Sequence, residues 1–273
     1  VLAHPKLLPE LVKLLGDRNL IVAYGANIVL GNIAPTVDIT IALPKLTELL
    51  SFKKPDRMVY FIHHDNITTL ALATKNIKTR DAVLKLLIDK LSDKNPLVRE
   101  NATKALGNTA LAEVDNSIAV PHLTKRLKDR NNSVKYAAAV ALGYTGQMGT
   151  NISIAIPKLT DLLRSKKRYA RMGASSAFAL SAGHGNDISI AIPALVGCLT
   201  DVLVRFDACT ALTELAKTGD DKTLEAIVAE IYSFMESKLF GRELGLNSKI
   251  FVDTIDQICI LMRIIQARYR EAA

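Results

Sequence analysis

The sequence predicts an all-α chain: a right-handed α-solenoid of about six helix-pair repeats with a C-terminal helical cap. Three observations predict it. A proline-bearing segment recurs at a spacing of 36 residues, and each copy carries two stretches of apolar residues at helical 3–4 spacing. The composition is 49% hydrophobic with only 5% aromatic and no Trp, so the core must be built from Leu, Ile, Val and Ala. A repeat array suits such a core, because each unit buries its apolar face only against its neighbours.

The first helix of each pair is the one with the proline. Ile118-Ala-Val-Pro-His-Leu-Thr, Ile154-Ala-Ile-Pro-Lys-Leu-Thr and Ile190-Ala-Ile-Pro-Ala-Leu-Val place Pro121, Pro157 and Pro193 at intervals of 36 residues. Pro44 and Pro9 are earlier copies, 35 residues apart, and Lys85 holds the equivalent place between Pro44 and Pro121. Proline is tolerated there because a first turn has no intrahelical use for its N–H. Thr40, Ser117, Ser153 and Ser189 stand just before these helices and read as N-caps, with Asp or Asn upstream.

The second helix follows a polar break such as Gly16-Asp-Arg-Asn19, Ser92-Asp-Lys-Asn-Pro96 or Lys128-Asp-Arg-Asn-Asn-Ser133. Val98 to Gly107 and Val134 to Gly143 are its clearest copies. Val22 to Gly31, Ala170 to Ala179 and Val204 to Thr213 follow more loosely, and Ile62 to Ala71 most loosely, after an insertion around Lys53 to Arg57. Val134, Ala138, Ala141, Leu142 and Thr145 fall on one helical face, which places Ala139 on the less buried side. Ala26, Ala102, Ala138, Ala174 and Ala208 recur mid-face, where a small side chain permits close helix approach.

The proline of the first helix, the Asp of the turn and the Val-Arg-x-x-Ala-x-x-Ala-Leu-Gly pattern of Val98 to Gly107 resemble HEAT repeats, of the short type first associated with phycobilin lyases. The resemblance spans about residues 5–219 and implies an armadillo/HEAT-like superhelix. It implies little about function, because the fold hosts scaffolds, transport factors, lyase subunits and DNA glycosylases.

One continuous solenoid domain is expected, with six repeats over residues 1–219 and capping helices over 220–273. Thr223 to Lys238 and Ser248 to Arg270 read as two longer helices without the repeat signature. In the last of them Phe251, Ile255, Ile258, Met262, Ile265 and Tyr269 form an apolar seam, widened by Ile250, Leu261 and Ile264. Packing on the preceding helices is the first reading of that seam, and dimerisation or a partner contact the second.

No catalytic constellation emerges. His63, His64 and Asp65 are consecutive and point around a helix instead of converging, while His4, His122 and His184 are scattered, so no metal site and no cofactor is expected. Cys198, Cys209 and Cys259 form no paired framework and read as reduced thiols, which points to a cytoplasmic, intracellular protein. No apolar run reaches the length of a membrane span. The chain begins at Val1 and not at Met, which leaves room for sequence upstream.

Two patterns remain for binding. A basic residue recurs after the Val of the second helix, at Arg99, Lys135, Arg171 and Arg205, replaced by Ala23 and His63 in divergent copies. Asp93 and Asp129 stand six residues before the first two, which suggests a hydrogen-bonded ladder that fixes the stacking of repeats. Ser165 takes the Asp place before Arg171, so Arg171 reads as freer to meet a ligand. One position further lie Tyr24, His64, Glu100, Tyr136, Met172 and Phe206. On a concave face these would form a stripe of flat or soft side chains able to hold a peptide or stack bases.

Charge is the stronger asymmetry. The net charge is +8, and 11 basic against 2 acidic residues between Ala119 and Ser175 give +9, leaving the rest near −1. Lys128, Arg130, Arg164, Lys166, Lys167 and Arg168 lie in the turns within helix pairs and, with Arg171, make a basic edge; Lys53, Lys54 and Arg57 occupy the matching turn of the second repeat. The leading expectation is therefore a non-catalytic scaffold that holds a macromolecular partner, a protein before others, on its concave stripe and basic edge. A nucleic-acid-binding protein similar to HEAT-like DNA glycosylases, or binding of another polyanion, is the alternative, and a bilin-lyase-like subunit is a third.

Overall fold

The structure, a computed structural model, describes residues 7–51, 57–239 and 248–272. The described residues are helices joined by turns, and the chain forms two compact units, Val1–Arg126 and Leu127–Ala273. The first contains α1 (Leu7–Leu14), α2 (Leu20–Ile33), α3 (Leu43–Leu49), α4 (Arg57–Ala73), α5 (Arg80–Lys90), α6 (Pro96–Leu111) and α7 (Val120–Arg126). The second contains α8 (Asn132–Gln147), α9 (Ile156–Leu163), α10 (Arg168–Ser181), α11 (Ile192–Gly197), α12 (Arg205–Thr218), α13 (Asp221–Leu239) and α14 (Ser248–Ala272).

Within each unit the long even-numbered helices stack in order, α2 on α4 on α6 and α8 on α10 on α12. The shorter helices α1, α3, α5, α9 and α11 pack on α2, α4, α6, α10 and α12 respectively. The core is aliphatic, as the composition requires: Leu46, Leu87, Leu106, Leu123, Leu159 and Leu195 are all fully buried. Pro44, Pro157 and Pro193 lie in first turns, where the absent N–H leaves no bond unmade.

The caps differ from expectation. Thr40, Ser117 and Ser189 open short 3₁₀ turns, and the capping side chains are the residues two before them. Asp38, Asp115, Asn151 and Asp187 accept the backbone N–H groups of Thr40, Ser117, Ser153 and Ser189 at 2.9–3.0 Å. An Asx side chain spans that two-residue step well, and a Ser hydroxyl does so at longer range, as Ser165 Oγ does in accepting the Lys167 N–H at 3.2 Å. Three of the even-numbered helices, α2, α6 and α8, use the same device twice. Asp17, Asp93 and Asp129 accept from Asn19, Asn95 and Asn131 at 2.7–2.9 Å, and these asparagines accept from Ile21, Leu97 and Ser133 at 2.8–3.1 Å.

The face assigned to α8 is also wider than its 3–4 spacing indicated. Ala138 is fully buried, and so is Ala139. Ala139 lies under α10, where a Cβ built on Gly173 would stand 3.1 Å from the Ala139 Cβ and 3.1 Å from the Tyr136 Cα. Further along the same crossing, a Cβ on Gly143 would meet the Ala177 Cα at 2.8 Å, and one on Gly146 the Ser181 Cβ at 2.7 Å. Contacts that advance together along both helices mean that α8 and α10 run parallel, so their first residues stand at the same end of the unit.

At the C-terminus, α14 packs on α12 and α13 and buries Ile258, Leu261 and Ile265. Arg268 adds a bond from Nη1 to the Ala216 carbonyl at 2.8 Å. This part of the seam therefore turns inward, while Tyr269 is exposed. The side chains of Ile250 and Phe251 lie outside the described residues.

Candidate functional site

The second unit brings the basic residues together. Because α8 and α10 are parallel, the turn before α8 and the turn before α10 stand side by side, separated by about the 10 Å of a helix packing distance. Lys128 and Arg130 are exposed on the first turn, and Arg164, Lys166, Lys167 and Arg168 on the second. The Arg168 guanidinium lies 4.9 Å from the centre of the half-exposed Tyr169 ring, a cation–π contact at the start of α10.

The two carboxylates of this stretch are both engaged. Asp129 is 8% exposed and turned into its cap. Asp161, on the last turn of α9, pairs with Lys158 at 3.3 Å. Lys53 and Lys54, expected to extend the basic edge, lie outside the described residues, as does the side chain of Arg57.

Arg171 is a correction. It is not freer for lack of an Asp before it: its Nε is 2.6 Å from Asp201 Oδ2, and its Nη1 donates to the Ser165 carbonyl at 2.8 Å. The partner comes from the next repeat. Asp93, Asp129, Ser165 and Asp201 are 36 residues apart in succession, so the period itself pointed to Asp201. Arg99 follows the same rule at its turn, with Nη1 donating to the Asp93 carbonyl at 2.8 Å. The ladder thus runs largely through turn carbonyls, while the Asp carboxylates cap backbone. A second rung joins α10 to α12, where Asp207 accepts from Ser176 at 2.6 Å.

The stripe is present as two groups, one in each unit. In the second unit Tyr136 and Met172 are half-buried on α8 and α10, and Phe206 on α12 is 75% exposed. In the first unit Tyr24 meets Phe61 edge to face at 6.4 Å, and the exposed His64 stands 3.3 Å from Asp65. The Asp65 carboxylate, helped by burial, raises the Tyr24 phenol above its ordinary pKa. Among the described residues no three metal-ligating side chains converge, and no helix is long and apolar enough to cross a membrane.

Comparison with known proteins agrees with this architecture. Comparison with curated proteins gives no match. Two engineered proteins known from crystal structures share the fold. One is 24% identical with a TM-score of 0.56, over 94% of this chain and 68% of its own. The other is 21% identical with a TM-score of 0.54, over 94% of this chain and 97% of its own. Residues 87–180, which hold the clearest copies of the signature, match the family model of HEAT repeats. Residues 87–180 are thus similar to HEAT repeats, and the chain as a whole has the fold of a helical-repeat solenoid.

Proposed function

We propose that the chain is a non-catalytic binding scaffold whose basic edge holds a carboxylate-rich segment of a protein partner. HEAT repeats commonly serve as protein-interaction scaffolds. The observation that carries the reading is the pair of adjacent turns with six exposed cations, Lys128, Arg130, Arg164, Lys166, Lys167 and Arg168. Such an array raises the local concentration of a polyanion and speeds its encounter. Tyr136, Met172 and Phe206, on the same three long helices, offer apolar contacts to the same partner, and Phe206 is the aromatic anchor among them. Arg171, held in the ladder, positions α10 and is not a contact residue.

Nucleic acid is the second reading, favoured by Tyr169 with Arg168 beside it, a small platform on which a base could stack. Fluorescence titrations of an acidic peptide, a DNA and an RNA oligonucleotide at several salt concentrations separate the two. Tighter binding of the peptide than of either oligonucleotide at equal charge is the expected result; the reverse order assigns the edge to nucleic acid. Failure of all three to bind at low salt overturns both.

A further inference from the structure

The far end of α10 from the basic turn lies about 20 Å away along its 14 residues. There the second unit carries an open cleft of about 850 Å³ that no residue of the basic edge or of the aromatic stripe lines. Its walls are the loop that leaves α10 and the start of α13. Ile190, Ile192, Leu215 and Ala226 supply apolar surface; Asp187 comes from the loop and Asp220 from the residue just before α13. The loop is held in place by Asn186, whose Oδ1 accepts the Ile152 N–H at 3.0 Å while its Nδ2 donates to the carbonyls of Gly146 and Thr150. The cleft therefore needs no partner to form it.

Both carboxylates are kept ionised. Asp187 accepts the Ser189 N–H at 2.9 Å, and Asp220 accepts the Thr223 hydroxyl at 2.7 Å and N–H at 2.9 Å. These bonds hold both acids below the usual carboxylate range, although Asp220 repels the charge on Asp187. The charge at 187 is not needed for the cap. Asn151 stands at the same place one repeat earlier and accepts the Ser153 N–H at the same 2.9 Å. Asp187 shares its aspartate with Asp38 and Asp115 at the same cap, and here it adds negative charge to the cleft. Lys222 at the cleft opposes one of the two carboxylates and leaves the lining net negative. Ile190 is 60% exposed next to these acids.

We propose that this cleft docks a short segment of a partner protein that presents a lysine or arginine beside a branched apolar side chain. The cation sits between Asp187 and Asp220, and the apolar side chain rests on Ile190 and Ala226. The size of the cleft is within the range of ligand and peptide sites. This site is separate from the basic edge and takes the opposite charge.

The test is selection of a random peptide library on the full chain, after depletion on the Asp187→Asn/Asp220→Asn variant. Asn caps both positions, so the variant keeps its fold, which its melting curve checks. Surviving sequences should be enriched in Lys or Arg adjacent to Leu, Ile or Val. A labelled synthetic copy of one of them should bind about tenfold more weakly to the double variant, and more tightly to Lys222→Gln. Survivors without a basic residue, or binding indifferent to both variants, overturn the proposal. Self-association of the chain that the double variant abolishes overturns it in favour of a second copy as the occupant.

Discussion

Arg171 on α10 reaches Asp201, the turn residue that precedes α12, with Nε 2.6 Å from Oδ2 and both side chains 23% exposed. One guanidinium thus ties the turn of its own repeat, through the Ser165 carbonyl, to the turn of the next. Asp201→Asn keeps the bond that Oδ1 accepts from the Leu203 N–H and removes only the ion pair. It should cost about 1–2 kcal/mol of stability and leave polyanion affinity unchanged. A loss of affinity at constant stability, seen by melting and titration together, would return Arg171 to the binding surface.

The α8–α10 crossing depends on absent side chains. Gly143→Ala puts a Cβ 2.8 Å from the Ala177 backbone, which has no flexible end to move aside. It should cost about 1–3 kcal/mol. Gly25→Ala, on the open side of α2 with nothing within 4 Å, should be stabilising instead. Urea denaturation of both variants checks the contrast, and equal effects would refute the packing described.

Glu113 has φ 60°, while Gly149 and Gly185, each 36 residues further on, have φ 78° and 81°. Glu113 and Gly149 follow the ends of α6 and α8, Gly185 lies in the loop after α10, and Glu113 is the copy that carries a side chain into the left-handed region. The Val114 N–H to Thr109 carbonyl bond at 3.1 Å matches that of Thr150 to Thr145. Glu113→Gly should stabilise the chain by about 0.5–1 kcal/mol, read as a rise in melting temperature.

Burial, aided by the Asp201 carboxylate, pushes the Cys198 thiol up to about 11, and burial also raises Cys209. Cys259 is exposed. At pH 8 a disulfide reagent should titrate one thiol of the folded chain quickly and the other two only after unfolding. Rapid reaction of all three would place α12 and α11 in a looser packing than the one described.

The helix pairs were legible because proline, the turn Asp and the apolar spacing all report local requirements, which recur wherever the repeat does. The positions that misled depend on a neighbour. Ala139 looked less buried because a single stripe of apolar residues defines one face, while a helix stacked beside another of its kind buries a second. Arg171 looked free because its own turn has Ser165, and its carboxylate comes from one period further along. The candidate surface was legible as composition, since eleven basic residues against two acids stand out in any reading. That Asp129 is buried in a cap and Asp161 pairs with Lys158 required the fold.

The most direct test is the salt dependence of binding at the basic edge. A fluorescein-labelled acidic peptide is titrated against the chain and against Lys166→Gln/Lys167→Gln/Arg168→Gln, from low to high salt. The chain should bind at low salt with an affinity that falls steeply as salt rises. The triple variant, with an unchanged melting temperature, should bind about tenfold more weakly with a shallower slope. If nucleic acid is the ligand, the slope should shallow by about one unit per lost phosphate contact. Equal affinity and equal slope for the two proteins would contradict the assignment of these turns as the binding surface.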